Sequence, residues 1–251
     1  MNIRKTEEQI EEMAAAGDLH ARCIAMLRSK IAPGVTTAEL DEAAERFIVS
    51  GGGVPTFKGY RGFPASICTS PNSLVVHGIP GPYELEEGDV ISIDVGVTLD
   101  GWIADGAFTA AVGGVDPETE RLLEVTHQAL RDAVGRVEPG NHIGDISNQV
   151  QTTVESAGFS IIKSLVGHGI GRSMHEEPQI PNYGPAGKGP EIEAGMVFAI
   201  EPMVNAGAPG VYIADDGWSV FSEDGSMAAH FEYTVAATEE GPKILTPWDE
   251  E

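Results

Sequence analysis

Apolar residues fall on helical spacing in four places along the chain and on alternate positions in several others. The first helical stripe, Ile10, Met13, Ala21, Ile24, Leu27 and Ile31, opens at Thr6 with Gln9 three residues on. That is a reciprocal capping pattern, and the helix is expected to run to Pro33-Gly34. Thr36 and Glu39 cap a second stripe, Leu40, Ala43, Ala44 and Phe47, which the glycines from Gly51 to Gly53 stop. Asp116-Pro117 supplies an N-cap and a proline at the first helical position for a third helix, which buries Leu122, Leu123, Leu130 and Val134. A fourth is expected from about Asp145 to Ala157, closed by Gly158.

Between the helix pairs the period changes to two. Residues 90–98 read VISIDVGVT, with Ile91, Ile93, Val95 and Val97 on one face and Ser92, Asp94 and Gly96 on the other. Asp100-Gly101 is a hairpin signal, and residues 102–112 form the returning strand. A two-residue loop sets Asp94 opposite Ala107. Asp105 then becomes a diagonal neighbour of Asp94 on the same face, within about 7–8 Å. Further strands are expected at 196–204, 211–214, 218–222 and 228–237.

The pattern occurs twice. Pro33-Gly34, helix, Gly51 returns as Pro139-Gly140, helix, Gly158, and Gly88-x-Val90-x-x-Ile93-Asp94 returns as Gly195-x-Val197-x-x-Ile200-Glu201. The expected fold is α+β: two copies, about 1–115 and 116–251, of a helix–helix–strand–hairpin unit. They pack about a pseudo-dyad into one antiparallel sheet with helices outside, as a single duplicated domain over 1–251 rather than a repeat array. The dyad places Asp94 across from Glu201.

Fifteen Lys and Arg against 39 Asp and Glu leave a formal charge of −24. Such a surface argues against DNA and anionic membranes as partners. The longest stretch without a charged side chain, residues 62–83, contains four prolines and is no membrane span. Acidic residues precede any apolar run in MNIRKTEEQIEE, so no signal peptide is expected. Cys23 and Cys68 cannot make a disulfide framework, which suggests a reducing compartment and a soluble, cytoplasmic protein.

Neither strand that carries Asp94 or Asp105 contains a Lys or Arg. A single strand Asp is most often a solvated residue. Here Glu201 lies in VFAIEPMV, and Glu232 lies in AAHFEYTVAA, where it shares a face with His230 and Thr234. Four acids in four apolar strands call for a multivalent cation, and more readily for two. His77, His168 and His175 fall in Gly/Pro-rich segments expected to be loops beside those strands. Four carboxylates and one imidazole suit a pair of Mn, Co, Fe or Zn ions better than a structural zinc site. Two such ions about 3.5–4 Å apart can share a hydroxide nucleophile and clamp a tetrahedral intermediate, as in amide hydrolysis.

The segments GYRGFPASICTSPNSLVVHGIP, DVGVTLDGWIADGAFT, GHGIGRSMHEEPQIPNYG, GMVFAIEPM and DGWSVFSEDGSMAAHFEYTV resemble type I methionine aminopeptidases of the bacterial kind. The resemblance covers nearly the whole chain. It implies the pita-bread fold and removal of an initiator methionine when the next residue is small, with two divalent metal ions (Co, Mn, Fe or Zn) per chain. It implies Asp94, Asp105, His168, Glu201 and Glu232 as metal ligands, with Asp105 and Glu232 bridging. Glu201 would also handle the proton of the nucleophilic water. His175 would polarise the scissile carbonyl, and His77 would contact the amide nitrogen on the leaving side. Phe57, Tyr60, Phe63, Cys68, Met174 and Trp218 would line the methionine pocket. Phe57 stands where bacterial relatives commonly have Cys, and Met174 where they often have Phe, which alters the shape of that pocket. The implied partners are peptide and nascent-chain N-termini, met by a monomer with transient ribosome contact. The acidic loop around Asp215-Asp216 and Glu223-Asp224 argues against that contact.

Prolidases and X-Pro aminopeptidases share the fold and ligand types. They usually carry a large extra N-terminal domain, for which the roughly ninety residues before Asp94 leave no room beyond the repeat itself. A peptide-binding scaffold without hydrolysis would be expected to have lost ligands.

Overall fold

A computed structural model describes residues 4–249. The four helices are α1 (Glu7–Arg28), α2 (Thr37–Ser50), α3 (Pro117–Val134) and α4 (Ile143–Ser156). Thr6 with Gln9 and Thr36 with Glu39 form the reciprocal caps that the sequence implies, and Asp116 accepts from the N–H groups of Glu118 and Thr119. Two boundaries differ. α1 ends at Arg28, where the Ser29 N–H closes the last turn, so Ile31 lies beyond it. α4 begins two residues early, because Asp145 acts from its first turn by accepting from the His142 N–H at 2.7 Å.

The first hairpin, Val90–Leu99 with Trp102–Ala111, has the expected register, with Asp94 opposite Ala107 and Gly96 opposite Asp105. Its turn residues Asp100 and Gly101 both have positive φ, 50° and 79°, which matches the strand twist of a two-residue hairpin. Ile91, Ile93, Val95, Val97 and Phe108 join one core with residues of all four helices. The even-numbered residues of Val90–Leu99, Asp94 among them, and the odd-numbered residues of Trp102–Ala111, Asp105 among them, therefore face away from the helices.

The second half departs from expectation in an informative way. Residues 196–204 are two strands, Val197–Ile200 and Met203–Asn205, and residues 228–237 are also two, Ala228–His230 and Tyr233–Thr238. Ile200 pairs with Tyr233 and Met203 with His230, so Glu201-Pro202 and Phe231-Glu232 face each other at a split in the ladder. Pro202 has no N–H to give that ladder. The split separates two of the four hydrogen-bonded sheets that stand where a single sheet is expected, and all of their pairings are antiparallel. Two of the four acids sit at breaks rather than within strands. His168 is corrected in the opposite sense: it lies in a strand, Val166–Gly169, not in a loop. Its flanking glycines serve the close packing of that strand, since a Cβ on Gly167 would lie 2.4 Å from the Ala199 carbonyl oxygen.

A seam of reciprocal hydrogen bonds joins the halves. Ala107 and Glu232 exchange backbone bonds at 2.9 and 3.3 Å. The Thr234 hydroxyl accepts from the Asp105 N–H at 3.0 Å and donates to the Asp105 carbonyl at 2.8 Å. The Thr109 hydroxyl does the same for His230, at 2.9 and 2.8 Å. Such mutual contacts are the mark of a two-fold relation.

Candidate metal centre

The register explains why distant residues meet. Cys68 pairs with Asp94, Asp94 with Ala107, and Ala107 with Glu232 across the seam. Residues directly opposite on neighbouring strands share a face, so one row carries Cys68, Asp94 and Glu232, and Asp105 stands two residues along it. The second half contributes His168 from its strand and Glu201 from the split, where the Asn182 amide holds the Glu201 carbonyl at 2.9 Å. All five line one cavity of about 290 Å³.

Asp105, His168 and Glu232 offer ligand atoms that all lie within 4.8 Å of one another. His168 Nε2 is 3.6 Å from Glu201 Oε1 and 3.9 Å from Asp105 Oδ2. The His168 Nδ1–H donates to the Gly169 carbonyl at 2.9 Å, which leaves Nε2 bare and facing the carboxylates. Among the described residues no Lys or Arg pairs with any of the four acids, and Asp94 Oδ1 and Glu232 Oε1 are buried without a partner. Burial pushes the Asp94 carboxyl up to about 7. Asp105, Glu201 and Glu232 go well above the usual carboxylate range, from burial first and then from one another's charge. Burial holds His168 down at about 4. Oxygen-rich anionic donors with one bare imidazole nitrogen fit a divalent transition metal and little else.

These shifts set a pH dependence with opposite arms. The lowered histidines stabilise the fold above their ordinary value near 6.5 and lose that contribution as pH falls toward 4. The raised carboxyls stabilise it at low pH and lose that contribution as pH rises through their folded values. Above about pH 6.5 only the carboxyl arm remains. Chelator-treated protein is expected to melt at progressively lower temperature from pH 6.5 to 8.5, and protein with saturating Mn²⁺ is not. A flat metal-free curve in thermal denaturation would contradict the carboxyl shifts.

The rest of the cavity is apolar and aromatic. Phe57 meets Phe63 edge-on at 6.5 Å, Phe63 meets Trp218 at 5.1 Å, and Trp218 meets His77 at 6.5 Å. Cys68 and Met174 are buried in the same wall. His77 is held at φ 60°, an uncommon conformation for a non-glycine residue. His175 is exposed at the rim, where it stacks on Tyr60 and its Nδ1 shares a hydrogen bond with the Tyr60 hydroxyl at 2.8 Å. A buried ion pair braces the preceding turn: Lys5 Nζ reaches Glu176 at 2.8 Å, and Glu176 also accepts from the N–H groups of Arg172 and Ser173.

Every residue that the resemblance places at the site thus lines this cavity. The sequence reading does not include Arg61, Leu165 and Met203, which also line it. Nor does it give a role to His230, which is 2% exposed with both ring nitrogens unpartnered and lies 3.8 Å from Glu232 and 4.0 Å from Glu201. A signal for His230 was present. Asp105-x-Ala107-Phe108-Thr109 parallels His230-x-Glu232-Tyr233-Thr234, at a spacing other than that of the helices.

Comparison with known proteins agrees with this geometry. The family model "Metallopeptidase family M24" matches residues 11–239. A methionine aminopeptidase of Clostridium perfringens is 48% identical over 246 residues, covering 98% of this chain and 99% of that one. The crystal structure of methionine aminopeptidase from Rickettsia prowazekii superposes with a TM-score of 0.97 at 40% identity, covering 98% and 100% of the two chains. A prolidase from Pyrococcus furiosus, 23% identical, shares the fold at a TM-score of 0.77, but this chain covers only 66% of its length.

Proposed function

The chain belongs to metallopeptidase family M24 and has its pita-bread fold, and from that premise we propose that it removes N-terminal methionine from peptides and nascent chains. One observation carries the reading: four carboxylates, Asp105 and Glu232 buried and Asp94 and Glu201 half-buried, and a bare His168 nitrogen converge, with no Lys or Arg partner among the described residues, at one side of a cavity whose other walls are aromatic and sulfur-bearing. The preference for a small second residue comes from the family resemblance, as do a metal count of two, a monomeric state and a cytoplasmic setting. Both cysteines are free, which suits a reducing compartment.

Asp94, Asp105, His168, Glu201 and Glu232 would hold the metal ions. When bound, these supply a nucleophile at neutral pH and electrostatic stabilisation of the tetrahedral transition state. The residues of the chain do the rest. Phe57, Phe63, Met174, Trp218 and Cys68 enclose the methionine side chain, whose thioether gains from contacts with ring edges. In the catalytic tautomer Tyr60, in hydrogen-bond contact with His175 Nδ1, would be the donor, so that His175 carries its proton on Nε2 and can donate it toward the scissile carbonyl oxygen. His77 stands beside Trp218 to meet the departing amide. Glu201, which lines the cavity 3.6 Å from His168 Nε2, would take a proton from the nucleophile and return it to the leaving amine.

Purified protein loaded with Mn²⁺ is expected to release methionine from Met-Ala-Ser, to slow as the second residue is enlarged, and to stop on chelation. An X-Pro peptide should remain intact. Turnover of the X-Pro peptide with Met-Ala-Ser untouched would transfer the chain to the proline-directed branch of the family.

A further inference from the structure

The seam fixes which residues of the two halves correspond. Thr234 brackets the backbone of Asp105 with its hydroxyl, and Thr109 brackets that of His230 in the same way. Ala107 and Glu232 exchange bonds with each other. Each of the pairs 105 and 230, 107 and 232, 109 and 234 is separated by the same 125 positions. Across this local two-fold, His230 is therefore the counterpart of Asp105, a residue of the metal-ligand set. It projects toward the same carboxylates. Its Nε2 lies 4.0 Å from Glu201 Oε2 and 3.8 Å from Glu232 Oε2. Glu201 is thus flanked by two imidazoles, His168 at Oε1 and His230 at Oε2.

A neutral imidazole has one N–H and one lone pair. Between two anions the proton belongs on the nitrogen that faces them, since a lone pair there would be repelled. Leaving that buried nitrogen without a partner would cost more than the small torsional adjustment that brings it onto the neighbouring carboxylate oxygens. His230 also does not line the open cavity, so it stands behind the glutamates rather than beside the substrate.

We propose that His230 is a positioning residue of the metal centre: its Nε2–H holds the Oε2 sides of Glu201 and Glu232 and so presents both carboxylates to the bound ions. The inference rests on the reading of this site as a metal centre. It adds to the five ligands a second imidazole that aligns them without ligating.

Mn²⁺ titration of metal-free protein, followed by calorimetry and by the electron paramagnetic resonance signal of free Mn²⁺, tests it without any reference to turnover. H230A is expected to bind Mn²⁺ about 10–100-fold more weakly than wild type, the usual effect of losing an outer partner of a metal ligand. H230Q, whose amide can still donate, should recover most of that loss. H230N, too short to reach, should bind as weakly as H230A, and it provides the comparison if the alanine variant does not fold. H230A within twofold of wild type, or H230Q as weak as H230N at equal metal-free melting temperature, would overturn the proposal while leaving the metal centre standing. Wild-type protein that takes up no Mn²⁺ would overturn both.

Discussion

Glu232→Gln is expected to give a protein that melts higher than wild type without metal and yet hydrolyses Met-Ala-Ser at least ~10³-fold more slowly. The loss should exceed the ~10–100-fold attached to residues that merely support a metal ligand. Both effects have one cause. Glu232 is 2% exposed, and burial together with the charges of Glu201 and Asp94 raises its carboxyl well above the ordinary range. With protein groups alone around it, a glutamine of the same shape removes that penalty. Each kcal/mol so relieved raises the melting temperature by about 2–4 °C in a chain of this size. With metal present, the same exchange would remove one of the proposed anionic ligands from the row that the seam builds. Calorimetric melting of chelated protein, Mn²⁺ titration and peptide assay together check the prediction. Unchanged turnover would remove Glu232 from the metal-ligand set.

His175→Ala should separate chemistry from metal binding. The Tyr60 hydroxyl is hydrogen-bonded to His175 Nδ1, and in the tautomer proposed above His175 keeps a donor on Nε2 at the rim of the cavity. Removing one such donor to a developing oxyanion costs about 10²–10³ in kcat. KM should move much less, because the interaction strengthens only as charge accumulates. Mn²⁺ affinity should stay at the wild-type level, since His175 is outside the ligand cluster. Tyr60→Phe should lower kcat by about tenfold, as the tautomer is then no longer fixed. A His175→Ala variant with normal kcat and raised KM would instead make this residue part of the binding surface only.

What could be read in advance follows the distance over which each interaction acts. The caps at Thr6, Thr36 and Asp116 and the Asp100-Gly101 turn join residues two to four apart, and a single stretch of chain encodes them completely. The Asp94–Ala107 register followed from loop length alone. Glu201 and Glu232 were recognisable as residues but not as occupants of a split. Alternation of side chains continues smoothly through Ile200-Glu201-Pro202, while the seam bonds on the other side of the break join Glu232 to Ala107, far away in the sequence. His230 escaped for a related reason. The helices and central strands repeat at about 107 positions and the seam at 125, so alignment on the stronger repeat leaves His230 without a counterpart. The Lys5–Glu176 brace joins residues 171 apart, and no periodicity reports it.

The geometry around Glu232 also constrains when in its own biosynthesis this protein can become competent. The backbone of Glu232 is gripped from both sides, by Ala107 and by the indole N–H of Trp248 at 2.9 Å. Asp94 and Asp105 leave the translation machinery early, but the residues that close their row emerge only after more than a hundred further codons. The row is secured once Trp248 has followed. Until then the acids of the first hairpin lack the residues that complete their row.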